Sequence, residues 1–272
     1  MTSLALPHLA AARIGGADAA LFLHGQFSAD IVALADGGST FACYCSPRGQ
    51  VYGLLLVCRA ADEFRLVGNA ELLPAMLKRL GMFVLRSRVD IGGIDELAVS
   101  ALPAAEAVAR PGEDFQPTGL DLVYRVADDE SGTAVARAEW KERELRRNVV
   151  WLGPETSERY IPQMLGFDRI GAVSFDKGCY PGQEIIARAR YLGKVKRQPL
   201  LLKVLTAADL PEGAALRLQD GQQWLQAAVV DSVMLRSAEG ADETLVFVVS
   251  PVPGGTVEAV EYEGGRYRSA TM

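Results

Sequence analysis

Lys177-Gly178-Cys179-Tyr180-Pro181-Gly182-Gln183-Glu184, or KGCYPGQE, runs directly into Ile185 to Arg197, IIARARYLGKVKR. The stretch gathers a cation, a thiol, an aromatic hydroxyl, an amide, a carboxylate and two glycines. Gly178 and Gly182 let backbone approach a ligand or take conformations closed to other residues. Pro181 suits the first position of a helix, and Gln183 to Arg190 reads helical. Cys179 then stands just ahead of a helix N-terminus, where the dipole and Lys177 favour a reactive or redox-sensing thiol. The plainer alternative is an inert buried thiol. Lys177 is either a solvated loop cation or a partner for an anionic ligand and for the thiol. Tyr180 either stacks on a heterocycle or packs. Gln183 and Glu184 either hydrogen-bond a heterocyclic edge, or Glu184 only complements the dipole of the first turn.

The chain has 272 residues, of which 49% are hydrophobic and 23% charged, enough for one large or two ordinary domains of a soluble protein. No apolar run approaches the ~20 residues of a membrane helix; the strongest, Gly53 to Cys58, is strand-length. The N-terminus lacks the basic segment of a signal peptide, so a cytoplasmic protein is expected. Net charge is −6, which argues against a nonspecific nucleic-acid binder. Two basic clusters run against that balance: Lys141, Arg143, Arg146, Arg147, and then Arg188, Arg190, Lys194, Lys196, Arg197. They are either solvated helix faces or a positive wall facing an anionic ligand such as RNA. The four cysteines have no disulfide-framework spacing; Cys43 and Cys45 would share one face of a strand. The two histidines, His8 and His24, are far apart in sequence, which argues against a zinc site or a histidine triad. No metal is expected.

Thr40 to Cys45, the turn Ser46-Pro47-Arg48-Gly49, and Gln50 to Cys58 read as strand, turn, strand. Phe64 to Val67 is a third strand. Leu72, Leu73, Met76, Leu77 and Leu80 predict a helix over Ala70 to Leu80, ended by Gly81. Phe83 to Ile91, Glu96 to Leu102 and Leu120 to Val126 predict strands. Pro103 to Gly119 reads as a connection, and Thr133 to Arg147 as a charged helix with Trp140 in its middle. After Arg197, short strands at Leu200 to Val204, Ala214 to Leu218, Trp224 to Val230, Val233 to Leu235 and Thr244 to Val249 are divided by turn signals, including Pro253-Gly254-Gly255. They predict a small all-β barrel or sandwich. The order is α+β of ferredoxin-like type, then all-β.

KGCYPGQE resembles the signature of the YgfZ folate-binding proteins, relatives of the glycine-cleavage T-protein, an aminomethyltransferase. Phe22 to Asp30, FLHGQFSAD, resembles the family's GQ-x-(S/T)-x-D segment. Cys45 to Gln50, CSPRGQ, resembles its Cys-x-x-(Lys/Arg)-Gly turn, and Tyr160 to Leu165, YIPQML, its F-I-P-Q segment. The resemblance spans Ile14 to Arg197. It implies an aminomethyltransferase-like N-terminal part, residues 1–197, with ferredoxin-like subdomains around a central cavity, and a C-terminal β-barrel, residues 198–272. It implies tetrahydrofolate or a related reduced folate as cofactor. Cys179 and Lys177 become candidate catalytic residues. Trp140, Tyr180, Gly182, Gln183 and Glu184 become folate-binding candidates, with Gly25, Gln26, Asp30 and Arg48 lining the cavity or a domain junction. His24, beside Gly25-Gln26, joins them only through the resemblance.

One departure concerns the segment after the tryptophan helix. T-proteins carry an (Arg/Asn)-x-Glu-x-Gly type segment there, whose glutamate helps hold the pterin. This chain has Leu145-Arg146-Arg147-Asn148-Val149, without the carboxylate and glycine. No T-protein-style catalytic aspartate stands in a recognisable motif. The resemblance therefore implies an accessory protein for iron–sulfur proteins and, through them, tRNA modification. The alternatives are a folate-dependent one-carbon (aminomethyl) transferase and a non-enzymatic RNA-binding or scaffold protein.

Overall fold

The computed structural model describes residues 4–94, 97–103, 113–117, 120–127, 137–193, 195–206, 208–235, 242–251 and 256–272. A five-stranded antiparallel sheet, in the order β3-β4-β5-β2-β6, is built from β2 (Leu9–Gly15), β3 (Ser39–Cys45), β4 (Val51–Ala60), β5 (Glu63–Asn69) and β6 (Asp90–Ile91). The apolar run of β4 is explained by burial on both faces. Leu55 and Val57 point toward α1 (Ala19–Gln26) and α2 (Leu73–Val84), while Leu54, Leu56 and Cys58 point into a central core. Cys43 and Cys45 share that second face with Cys58, and all three thiols are buried.

A second sheet, in the order β1-β7-β9-β8, combines β1 (Leu4–Ala5), β7 (Ala98–Pro103), β8 (Asp114–Phe115) and β9 (Leu122–Ala127). Its Val99, Ala101, Leu122 and Tyr124 enter the same central core. α3 (Arg137–Arg146) follows, and α4 (Gln183–Tyr191) comes after a long irregular segment that includes the 3-10 turn Pro162–Met164. The last strands are β10 (Gln198–Val204), β11 (Ala215–Asp220), β12 (Gln223–Leu235), β13 (Glu243–Ser250), β14 (Ala259–Tyr262) and β15 (Gly265–Thr271). They close into a barrel in the order β10-β13-β12-β11-β14-β15. Along β13, Val246 and Val248 fill the barrel, while Leu245, Phe247 and Val249 face the central core. The period of two thus joins the barrel to the rest of the chain.

Several boundaries differ from the sequence expectation. α2 runs through Gly81 to Val84 and stops where Leu85 takes φ 47°. A helical glycine costs only about 1 kcal/mol, and buried Met76, Leu77 and Leu80 hold the helix past it. Phe83 is therefore helical, and only Asp90–Ile91 of the expected strand forms. Trp224 to Val230 and Val233 to Leu235 are one strand, interrupted by a bulge between Val229 and Asp231. The expected connection Pro103 to Gly119 lies largely outside the described residues but contains β8. The start of the Thr133 helix, Glu96, Lys194 and Pro253 to Gly255 also lie outside them. Among the described residues no helix is long and apolar enough to cross a membrane.

Candidate functional site

Two groups of the predicted residues form around the central core. The first joins the Lys177 loop to α1. The loop follows Ser174, whose N–H donates to the Ser28 carbonyl. Lys177 is 9% exposed. Its ammonium donates to the carbonyls of His24 and of Phe27, the latter at 2.6 Å, and so caps the C-terminus of α1. It also lies 5.0 Å from the centre of the Tyr180 ring, within cation–π range. Burial brings its pKa down to about 8, with Asp30 pulling the other way. Asp30 Oδ1 lies 3.2 Å from His24 Nδ1, within ion-pair distance. Gln26 Oε1 is buried without a hydrogen-bond partner. His24, Gln26, Asp30 and Lys177, distant in sequence, are thus brought together.

Cys179 is exposed. It stands ahead of a helix N-terminus as expected, three residues before the cap: α4 begins at Gln183, and Gly182 at φ 83° caps it. Pro181 lies in the turn before, not at the first helical position. A Cβ on Gly182 would stand 2.5 Å from the Ser46 carbonyl oxygen and 2.7 Å from Gly49 Cα. Glycine is therefore required because the Ser46–Gly49 turn presses on this loop. The same contact places exposed Arg48 beside α4. Gln183 Nε2 makes only a 3.5 Å contact with the Lys177 carbonyl, and Glu184 is an exposed acid of the first turn. Gly25 lies within α1, where an added Cβ would meet nothing within 4 Å.

The second group surrounds α3. Trp140 is 4% exposed and meets Tyr124 edge to face, 5.6 Å between ring centres; Tyr124 meets Trp151 the same way at 6.1 Å, and Trp151 meets Phe41 at 5.8 Å. Into this aromatic cage projects Glu144, 1% exposed. Its Oε1 accepts from Tyr124 Oη at 2.7 Å and Trp151 Nε1 at 2.9 Å. Burial raises its pKa to about 7, although the Trp151 and Tyr124 donors and Lys141 favour its charged form. Trp140 Nε1 also faces this carboxylate and favours its charged form, while Oε2 completes no hydrogen bond among the described residues.

Glu144 is the residue that sequence inspection misses. A buried carboxylate stands on the tryptophan helix, four residues after Trp140 on the same face. Arg146, which occupies the expected glutamate position, is turned outward and paired with Glu142 at 2.7 Å. Beside it a cleft of about 340 Å³ opens between α3 and the barrel, lined by Arg146, Asn148, Arg169, Pro199 and Phe247 among others.

No protein-family model matches the chain. The tRNA-modifying protein YgfZ of Klebsiella pneumoniae is 30% identical over 262 residues, 85% of this chain and 80% of that protein. The chain belongs to the YgfZ family. The tRNA-modifying protein YgfZ of Escherichia coli O157:H7 is 29% identical over 264 residues, with the same coverage of 85% and 80%. The crystal structure of the glycine cleavage system aminomethyltransferase T from Bartonella henselae matches with a TM-score of 0.69 and 18% identity, over 99% of this chain and 84% of that one. The aminomethyltransferase-like α+β fold with its C-terminal barrel is thus the fold of this YgfZ family member. In it, Trp140 and the Lys177 loop both border the central core, while no hydrogen bond, ion pair or ring contact links them directly among the described residues.

Proposed function

We propose that this YgfZ family member binds a reduced folate, tetrahydrofolate or a close relative, and supports iron–sulfur proteins of the cytoplasm and, through them, tRNA modification. The observation that carries the folate half is the Glu144 carboxylate buried beside Trp140 on one face of α3, whose Oε2 completes no hydrogen bond among the described residues. Buried polar groups without partners are rare in folded proteins and mark sites where a further group completes the hydrogen bonding. A pterin edge offers N–H donors of the kind such a carboxylate would take. Arg169, exposed in the adjoining cleft, suits a carboxylate of a polyglutamate tail. In this role Glu144 orients the heterocycle, the aromatic cage excludes water, and Lys177 fixes the Cys179 loop to α1. The relatives' description as tRNA-modifying proteins supports the second half.

Calorimetric titration with tetrahydrofolate tests the first half. Wild type is expected to bind, and Glu144→Gln to bind about tenfold or more weakly, the cost of one lost charge-assisted hydrogen bond. Equal binding by the variant would remove Glu144 from the site, and no binding by wild type would remove folate. For the second half, Cys179→Ala is expected to fold normally, since the thiol is exposed, yet fail to restore tRNA thiolation in a strain lacking its own family member. Full restoration by the variant would exclude thiol chemistry at Cys179.

A further inference from the structure

The two basic clusters fare differently. In the first, Lys141 pairs with Asp231 at 2.7 Å, Arg146 with Glu142 at 2.7 Å, and Arg147 with Asp121. Three of its four cations are thus neutralised, and Arg143 stands exposed among them. In the second, Arg190 lies over the Phe175 ring and 3.8 Å from Asp168. Arg188, Lys196 and Arg197 are exposed and have no carboxylate at ion-pair distance among the described residues, and the same holds for Arg48.

These cations are interleaved with apolar side chains. Ile186 faces inward, so Ile185, Arg188 and Leu192, at spacings of three and four, form an outer stripe of α4. Ile185 is 39%, Tyr191 67% and Leu192 83% exposed. The Ser46–Gly49 turn extends the stripe: a Cβ on Gly49 would stand 3.1 Å from Ile185 Cβ, which brings Arg48 alongside. The exposed acids nearest in sequence are Glu184 and Asp176. Tyr191 rests edge to face on Phe175, 6.1 Å between ring centres, with most of its ring still exposed beside the arginines.

We propose that this outer face of α4, from Arg48 through Arg188 and Tyr191 to Lys196 and Arg197, binds single-stranded RNA. Cations along a groove or ridge, with an aromatic ring among them on which a base stacks, form the general pattern of single-strand recognition. Protein–protein interfaces are depleted of lysine, whereas this face includes Lys196 and carries no paired carboxylate on Arg48, Arg188, Lys196 or Arg197 among the described residues. The whole-chain charge of −6 argues against nucleic acid, but binding answers to the local distribution. This inference is independent of folate binding.

Fluorescence anisotropy with a labelled oligouridylate of about 15 nucleotides tests it, at salt concentrations between about 50 and 200 mM. Four phosphate contacts predict a log–log slope of about −2.8, an affinity loss of about 50-fold across that range. Replacing Arg188, Lys196 and Arg197 together by Ala should reduce the slope to about −0.7. Tyr191→Ala should weaken binding about tenfold. Arg188, Lys196 and Arg197 are exposed, so the triple variant should melt with wild type; Tyr191→Ala loses only the edge contact with Phe175, and both should retain the tetrahydrofolate titration. Absence of binding at about 50 mM salt, or an unchanged slope in the triple variant, would overturn the proposal. So would an oligoglutamate of equal charge that displaces the RNA as well as RNA itself does, since that would assign the face to an acidic protein.

Discussion

Glu144→Gln is expected to remove a large part of the pH dependence of stability between pH 4.5 and about 7, the interval over which burial moves this carboxyl. The sign follows from linkage. The folded pKa lies above the unfolded one, so the native state holds this proton more tightly. The associated stability is fully present below pH 4.5 and is lost as pH rises through about 7. The interval corresponds to about 3 kcal/mol for a group so buried. Glutamine has the shape of the protonated acid and cannot ionise. Chemical denaturation of wild type and variant should therefore give similar stabilities near pH 5, while at pH 8 the variant should be more stable by up to about 3 kcal/mol. Parallel curves would show that Glu144 stays ionised, matched by a cation or water. Asp231, also pushed up by burial but opposed by Lys141, adds a smaller slope of the same sign to both proteins.

Gly182→Ala should be the most damaging single-methyl change. The added carbon would meet Ser46 O at 2.5 Å, Gly49 Cα at 2.7 Å and Gly49 N at 2.8 Å, all backbone. None of these can rotate away, and φ 83° is itself strained for alanine. Strain and overpacking together predict a loss of about 3 to 4 kcal/mol, a drop in Tm of about 10 °C at this size. The control is Gly25→Ala. That glycine is helical with open space where the Cβ would go, so alanine should be neutral or stabilising by up to about 1 kcal/mol. Equal melting temperatures for the two variants would show that the loop yields, and that Gly182 is kept for another reason.

The pair also marks what the sequence makes legible. Turn glycines, alternating strands and the apolar run of β4 are local signals, and the hairpin β3–β4, the barrel strands β10 to β13 and α4 were readable from them, whereas β14 and β15 were not. The terminal strand Leu9–Gly15, LAAARIG, was not. Its alanines favour a helix in isolation, and pairing with β5 and β6 decides otherwise. Nor was α1, whose FLHGQ carries no 3.6-residue apolar period. Glu144 was hidden for a different reason. It sits in the charged run Lys141 to Arg147, which reads as a solvated face. Its burial depends on Tyr124 and Trp151, and one of these comes from another sheet. The role of Lys177 was half legible: a cation in a glycine-rich loop suggests a ligand, but its actual partners are carbonyls some 150 residues earlier, beyond any local pattern.

The alternation along β13 bears on how the molecule comes apart. Leu245, Phe247 and Val249 share one core with Trp140, Trp151 and Tyr160, and Glu212 of the barrel accepts from the Gly153 N–H at 2.9 Å and from the Thr156 hydroxyl. The barrel is therefore a wall of the aromatic cage rather than an appended module. A chain cut after Arg197 would leave that cage open to water. The two regions that the sequence separates should melt as a single cooperative unit.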